Sequence, residues 1–313
     1  MRARNWFLMV FGLITACGGP IVGFNIAVDP YGLYRDTRGR RLPAYGDPRV
    51  AKYLLSEHYV PGNFNAILVG SSLSANWNMA GVEKLRFYNQ SLDGGNIVEG
   101  KALVDAALSQ PGISVAALIV HPYCTHSHDF QTVRLQPSLG FSALGSQTLL
   151  AAYVSMLEER LHLPREVVDY DGTEHFLHPP TRLNPIMRQM FRPGAAFEVD
   201  PIALTALRDV AAELRAHSVQ IVFIVPPISE DLFRAQQTAF RDYARLIEQN
   251  AGPQDLLIDF TSAEFADFRS TRENFGDGVH FVANAAAAIV SHINARINDW
   301  IAQGRLRVPV SQR

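Results

Sequence analysis

Asn65-Ala66-Ile67-Leu68-Val69-Gly70-Ser71-Ser72 is the stretch on which the reading of this chain turns. A short apolar run without alternation, halted by Gly-Ser-Ser, predicts a strand buried on both faces that ends in a tight turn. Strands of that kind belong to parallel sheets covered by helices on both sides. The pattern recurs downstream, where residues 115–120, 220–225 and 256–259 read as further apolar strands and 85–89 as a short one. Helical spacings lie between and after them. Ile97, Ala102, Leu103, Ala106 and Ala107 mark a helix over 96–109, closed by Pro111-Gly112. Ala203, Leu207, Val210, Ala211 and Leu214 mark another; Phe233, Gln236, Phe240, Tyr243 and Ile247 trace a third face, and 283–302 form the last. Strands alternating with helices predict an α/β class fold, three layers (α/β/α) with a mostly parallel sheet. In such sheets, sites form at the carboxyl ends of strands.

The 313 residues, 48% hydrophobic and 19% charged, suffice for one large domain with a small appendage. Lys plus Arg number 28 against 30 Asp plus Glu, a net charge of −2, so no broad basic surface is available and nucleic acid is not an expected partner. Two cysteines, Cys17 and Cys124, make neither a disulfide framework nor a four-thiolate zinc site.

Arg2 and Arg4 precede residues 6–28, 23 positions without a charge. As a helix that stretch is about 34 Å long, enough for a hydrocarbon core of about 30 Å. Gly12, Gly18, Gly19, Pro20 and Gly23 are poor in a soluble helix but tolerated in a membrane one. Three readings stand: a retained transmembrane anchor, a cleaved signal, and a lipoprotein leader whose Ile14-Thr15-Ala16-Cys17 resembles a bacterial lipobox with Cys17 lipidated. The arginines ahead of the span place the rest of the chain across the membrane. The expected organisation is a cytoplasmic N-terminus and anchor over 1–28, and an irregular juxtamembrane connection over 29–60 holding Pro30, Pro43 and Pro48. One domain follows over 61–313, with an insertion at about 128–200 that interrupts the strand–helix rhythm and contains a helix over 144–161. That insertion reads as a lid or substrate-facing piece.

The carboxyl-end rule directs attention to Ser72. A serine in a sharp turn after a strand presents its hydroxyl at the sheet edge, with its own N–H able to face a developing oxyanion. Glycine and serine are equally ordinary turn residues. Late in the chain, Gly276-Asp277-Gly278-Val279-His280 sets an imidazole three residues after a carboxylate, so that one turn brings both to one place. Activating a hydroxyl needs that pair, a base and a group holding its tautomer. The plainer alternative makes Asp277 a turn former and His280 a helix-start residue. His121, His126, His128 and Asp129 admit a metal site or polar lining beside the proposed site, and lining is the reading adopted, with no metal expected. His175 and His178 read as loop residues, and Trp77 and Asn78 as packing after the Ser72 turn.

Taken together, these blocks resemble the SGNH (GDSL-type) hydrolase superfamily, whose sheet is flavodoxin-like. Its nucleophilic serine ends the first strand, and a late Asp-x-x-His supplies acid and base. The resemblance implies Ser72 as nucleophile, Asp277 and His280 as its partners, and Ser71 where the family has aspartate. Tyr88-Asn89-Gln90-Ser91-Leu92-Asp93-Gly94 is similar to the second block, Asn-x-Gly-x-x-Gly, which implies an oxyanion hole built from the Ser72 and Gly94 amides. The third block, Gly-x-Asn-Asp, is absent; His121-Pro122-Tyr123-Cys124 stands there instead. Ser71, Asn89, His121 and Tyr123 are accordingly expected to line the pocket. The span followed by Val28-Asp29-Pro30-Tyr31-Gly32, then Val-Gly-Ser-Ser and Tyr-Asn-x-Ser-Leu, resembles membrane-anchored bacterial proteins of this superfamily, among them envelope-polymer O-acetylation proteins and the D-alanyl-transfer protein of teichoic acids. This resemblance implies an esterase or O-acyltransferase acting without cofactor on a cell-envelope glycan or acyl ester. It also implies a single-pass protein of the bacterial inner membrane facing the periplasm, with envelope polysaccharide biosynthesis proteins as partners. The missing asparagine motivates the alternative, a weakly active or inactive domain that binds a glycan or a partner in an export assembly.

Overall fold

Strand β1 (Ala66–Val69) is buried at every position because it sits inside a sheet with helices on both faces. The computed structural model describes residues 3–82, 84–126, 135, 140, 147–176 and 180–307. Strands β2 (Phe87–Asn89), β3 (Val115–Ile119), β6 (Gln220–Val225) and β7 (Leu256–Asp259) join β1 in one five-stranded sheet of order β2-β1-β3-β6-β7, every pair parallel. This is the expected flavodoxin-like order, in which the chain leaves β1 toward one edge and returns to β3 on its other side. The switch point between β1 and β3 is where a crevice opens.

On one face, helices α2 (Pro48–Asn63), α3 (Ile97–Leu108) and α6 (Pro201–Ala216) bury Leu54, Leu55, Leu103, Leu207, Val210 and Leu214 against Ile67, Val69 and Phe223. On the other face, α10 (Ala283–Ala302) lays Ala286, Ile289, Ile293 and Ile297 on Leu68, Ala117 and Ile224. Helix α3 begins with a capping box in which Asn96 accepts from the Val98 and Glu99 amides and Glu99 reaches back to the Asn96 N–H. The apolar N-terminal helix α1 (Ala3–Val28) precedes the sheet and is long and apolar enough to cross a membrane.

The stretch read as an irregular connection over 29–60 departs from that expectation, for α2 occupies it from Pro48 onward and the 60/61 boundary falls inside this helix. Pro48 stands in the first turn, where its missing N–H has no partner to lose, and Asp47 caps the helix by accepting from the Arg49 amide. Prolines that looked like loop markers therefore frame a core helix. Helix α2 also buries Lys52, whose ammonium donates to the Ser91 carbonyl at 2.6 Å and to Glu174 at 2.8 Å. Burial pulls that ammonium below its usual range against the opposing pull of Glu174.

The insertion contributes α4 (Gln147–Arg160), the short pair β4 (Val167–Val168) and β5 (Glu174–His175), and α5 (Pro185–Met190). Helix α4 corresponds to the helix expected over 144–161, whose first three positions lie outside the described residues. The hairpin closes on the end of β2: the Asn89 N–H donates to the Asp171 carbonyl at 2.6 Å, and the Glu174 N–H to the Ala75 carbonyl at 2.8 Å. Gly172, at φ +80°, lies so close to the Asn89 backbone that no side chain fits there. The single helix face traced from Phe233 to Ile247 is divided, with α7 (Glu230–Ala235) and α8 (Gln237–Asn250) meeting at Gln236. Gln236 is buried and its amide donates to the carbonyls of Met190 and Arg192, which ties the break to the end of α5.

Glu174→Leu should lower stability by about 3–5 kcal/mol, since it strands the buried Lys52 charge. The double replacement Lys52→Met/Glu174→Leu should recover most of that loss in thermal unfolding of the detergent-solubilised chain. Equal loss in single and double variants would show that packing, and not the charge, dominates.

Candidate active site

The turn after β1 carries Ser72 to the carboxyl edge of the sheet, 208 residues before His280 in the chain. The Ser72 hydroxyl lies 2.9 Å from His280 Nε2, and His280 Nδ1 lies 2.7 Å from Asp277 Oδ2. The ionised carboxylate can only accept, so Nδ1 carries the proton and Nε2 is left to receive one from Ser72. The other Asp277 oxygen accepts the N–H groups of His280 at 2.8 Å and Val279 at 3.0 Å, which folds the loop around its own carboxylate. Burial raises the Asp277 carboxyl, but the hydrogen bonds and charge of His280, with the Val279 amide, outweigh it and hold the group below its usual range. The loop is pinned from two sides. The Gly276 N–H donates to the His280 carbonyl, and the Ser229 N–H, just past β6, donates to Gly278, which stands at φ +99°.

Gly94 follows β2 and adopts φ +58°, the left-handed turn that suits glycine. Among the described residues no backbone carbonyl takes its N–H, whereas the Gly95 N–H is used by Leu92. A methyl group at Gly94 would stand 3.8 Å from the Tyr123 hydroxyl and 3.7 Å from the Arg49 guanidinium, so both side chains border this turn. Arg49 is itself held by Glu99 at 2.8 Å and by the Asp93 carbonyl.

Tyr123 is in a single 3₁₀ turn (Pro122–Thr125) after β3, at the place of the missing asparagine. Its phenol is hydrogen-bonded to the Asn184 side chain at the head of α5. Burial, then the Cys124 thiol and Asp93, push the phenol up past the opposing effects of Asn184 and Arg49, so it remains a protonated donor. Arg49 and Asn184 were not anticipated. Asn184-Pro185 is a readable helix start, with the side chain accepting from the Met187 amide, but its nearness to Tyr123 is a tertiary fact.

Ser71, Asn89 and His121, expected to line the pocket, are all buried, as Ser72 and His280 themselves are. Ser71 is fully buried beside the Cys124 thiol, whereas the next residue, Ser72, meets His280. Asn89 is buried as a brace: its amide nitrogen donates to the carbonyls of Ser74, Ala75 and Trp77 at 2.8, 3.1 and 3.1 Å, and its oxygen accepts the Ser91 N–H at 2.9 Å. His121 is wholly buried against Phe191 and Phe240, with Nδ1 accepting the Tyr123 N–H at 3.2 Å and, among the described residues, no partner at Nε2. Burial first, and the nearby His280 second, push its imidazole down to about 3, so it stays neutral while the site works. Of the set considered as metal ligands, His126 is near the Glu198 carbonyl, and His128 and Asp129 lie outside the described residues. His175 contacts Asp169 at 2.7 Å, and His178 lies outside the described residues. Trp77 is buried against Phe281, as packing requires.

Leu73, Tyr123 and Val279, neighbours of the three strand-end positions, form one apolar cluster with Met187, Met190 and Phe191. The second half of the insertion thus packs over the carboxyl edge. A groove of about 700 Å³ is lined by Asn76, Asn78, Phe281, Ser291 and Asn294 along α10, and none of Ser72, Gly94, Tyr123 and His280 lines it.

No family model and no curated protein matches the chain. Solved structures are similar to it. A GDSL-like lipase from Bacteroides thetaiotaomicron is 7% identical, over 75% of this chain and 87% of that one, with a TM-score of 0.40. A lipase/acylhydrolase from Enterococcus faecalis is 13% identical, over 79% and 100%, with a TM-score of 0.41. A catalytic mutant of an acetylxylan esterase from Geobacillus stearothermophilus is 11% identical, over 76% and 95%, with a TM-score of 0.39. At identities of 7–13% and TM-scores of 0.39–0.41 these likenesses carry no argument, and the chemistry rests on this chain's own side chains.

His121 is uncharged in the folded chain down to about pH 3, while an unfolded imidazole takes a proton near 6.5. The unfolded state therefore binds more protons between those values, and stability falls as pH drops through that window. His121→Asn keeps an acceptor near the Tyr123 N–H and should flatten this decline in thermal unfolding between pH 7 and 4. Parallel wild-type and variant curves would contradict the assignment.

Proposed function

We propose that this chain is a serine esterase or O-acyltransferase that works through an acyl-enzyme on Ser72, with an acylated cell-envelope glycan as its substrate class. The hydrogen-bonded line Ser72–His280–Asp277, at 2.9 and 2.7 Å, carries the proposal. As the Ser72 oxygen attacks the ester carbonyl, His280 Nε2 takes its proton and Asp277 stabilises the resulting imidazolium. The carbonyl oxygen becomes an oxyanion facing the Ser72 and Gly94 amides, and the Tyr123 hydroxyl serves as the third donor in place of the missing asparagine. Collapse of that intermediate breaks the ester bond, and His280 returns the proton to the departing alkoxide. A second hydroxyl then gives its proton to His280 and attacks the acyl carbon; the acyl–Ser72 bond breaks and His280 returns the proton to the Ser72 oxygen. Water in that role yields a carboxylic acid; a sugar hydroxyl yields a new ester. No cofactor enters these steps.

The complete serine, imidazole and carboxylate set supports this reading over a purely binding domain. Support for work outside the cytoplasm comes from α1 and the arginines ahead of it.

Ser72→Ala should lower p-nitrophenyl acetate turnover by at least about 10³-fold. Tyr123→Phe, which keeps the ring and removes only the hydroxyl, should lower kcat by about 10²-fold and leave KM nearly unchanged. Undiminished kcat in Tyr123→Phe would remove the third donor from the scheme, and undiminished turnover in Ser72→Ala would remove the acyl-enzyme itself.

A further inference from the structure

Helix α4 presents Leu150, Val154 and Leu157 at successive turns of one face, exposed by 64, 48 and 56%, and Leu161, the first residue past its end, continues the line at 60%. Leu163, just past the helix, is 50% exposed. Single exposed leucines are ordinary, but a continuous apolar stripe on one helix face marks a surface that something covers. The opposite face is already used. Leu149 and Ala152 are buried, the Tyr31 hydroxyl donates to the Thr148 carbonyl at 3.2 Å, and Gly46 packs on the α4 backbone at Ala152.

What adjoins the stripe is α1. The Phe24 ring stands 5.6 Å from the Tyr153 ring, and the Tyr153 hydroxyl donates to the Asn25 side chain at 2.8 Å. Asp29, immediately past α1, is buried and accepts the N–H groups of Leu33, Tyr34 and Arg35, so the chain turns into the domain at this point. The exposed apolar side chains of α1 continue as far as Phe24 and Ile26. If α1 spans a bilayer, the boundary with water therefore falls at the height of Tyr153, whose ring and hydroxyl suit that boundary. Leu150, Val154 and Leu157 are within a turn or so of Tyr153 on the same helix.

We infer that α4 is an interfacial helix whose leucine–valine stripe sinks into the membrane surface next to the exit of α1. A helix with one apolar face and polar flanks lies in the plane of the interface. Residues 158–160, Glu-Glu-Arg, supply polar flanks here. Together α1 and α4 give the domain two attachments, so it is held at a fixed tilt and does not swing on a single tether. The inference rests on α1 being a retained span.

The test uses the full-length chain in vesicles of phosphatidylethanolamine and phosphatidylglycerol. Cys17→Ala removes the exposed thiol, and Cys124 is buried. An environment-sensitive NBD label is placed through Val154→Cys or Leu157→Cys, and for reference through Glu213→Cys on the exposed side of α6. Lipids carrying a nitroxide near the headgroup should quench the labels at 154 and 157 several-fold more than the label at 213. Equal quenching at all three positions, in a chain that stays with the membrane through carbonate extraction, overturns the inference. A blue-shifted but unquenched label at 154 also overturns it and assigns the face to a second copy or another protein. Release of the chain by carbonate instead overturns the anchor reading, and the α4 inference with it.

Discussion

One buried side chain, the Asn89 amide, joins the two loops on which the site is built. Its nitrogen holds three carbonyls of the turn that carries Ser72, and its oxygen holds the Ser91 N–H at the start of the loop that carries Gly94. A buried amide used at every one of these bonds is stabilising, whereas the same group left unpaired would be costly. The brace is extended outward by the Ser74–Ser91 hydroxyl pair at 2.8 Å and by Lys52, which takes the Ser91 carbonyl. Serine hydroxyl and Gly94 turn are thus fixed relative to each other before any substrate arrives, which is what oxyanion stabilisation requires. The third contributor, the 276–280 loop, is locked separately by Asp277 and Ser229.

The parts of this arrangement that were legible in the sequence share one property: each is local. Ala66–Val69 announces a buried strand by its composition, and the following Gly-Ser-Ser announces the turn. Asp277 and His280 are three apart, so their partnership needs no long-range knowledge. The strands over 220–225 and 256–259 and the helix over 283–302 were readable to the residue for the same reason. What escaped was tertiary. Helix α2 was hidden because Pro48 and Pro61 look like loop residues until one sees that they stand in its first and last turns. Ser71, Asn89 and His121 sit at positions where a site residue is expected, and the structure shows all three buried, Asn89 as the brace between the two loops. The break at Gln236 depends on carbonyls offered by the insertion.

In the proposed scheme Tyr123 takes the place of the missing asparagine. An asparagine amide offers two N–H donors and a phenol one O–H, and the phenol is longer and needs its own orientation. Asn184, brought by α5, contacts that phenol, and the 3₁₀ turn that carries it is closed by His121. The insertion is therefore part of the site, through Asn184 and through the methionine cluster over Leu73 and Val279. The hairpin of the same insertion braces β2 through Asp171, and the turn after β1 and helix α2 through Glu174. A segment that looks like an interruption of the fold in the sequence acts as the clamp across its functional edge.

The central claim is that Ser72, and no other serine, is the activated nucleophile, and that His280 activates it. Its most direct measurement is covalent labelling of the full-length chain by a fluorophosphonate, followed by mass mapping of the modified peptide. The account predicts one adduct, on Ser72, that disappears in His280→Ala while the protein remains folded. An adduct on Ser71 or elsewhere, or one on Ser72 that survives loss of the His280 imidazole, would contradict it.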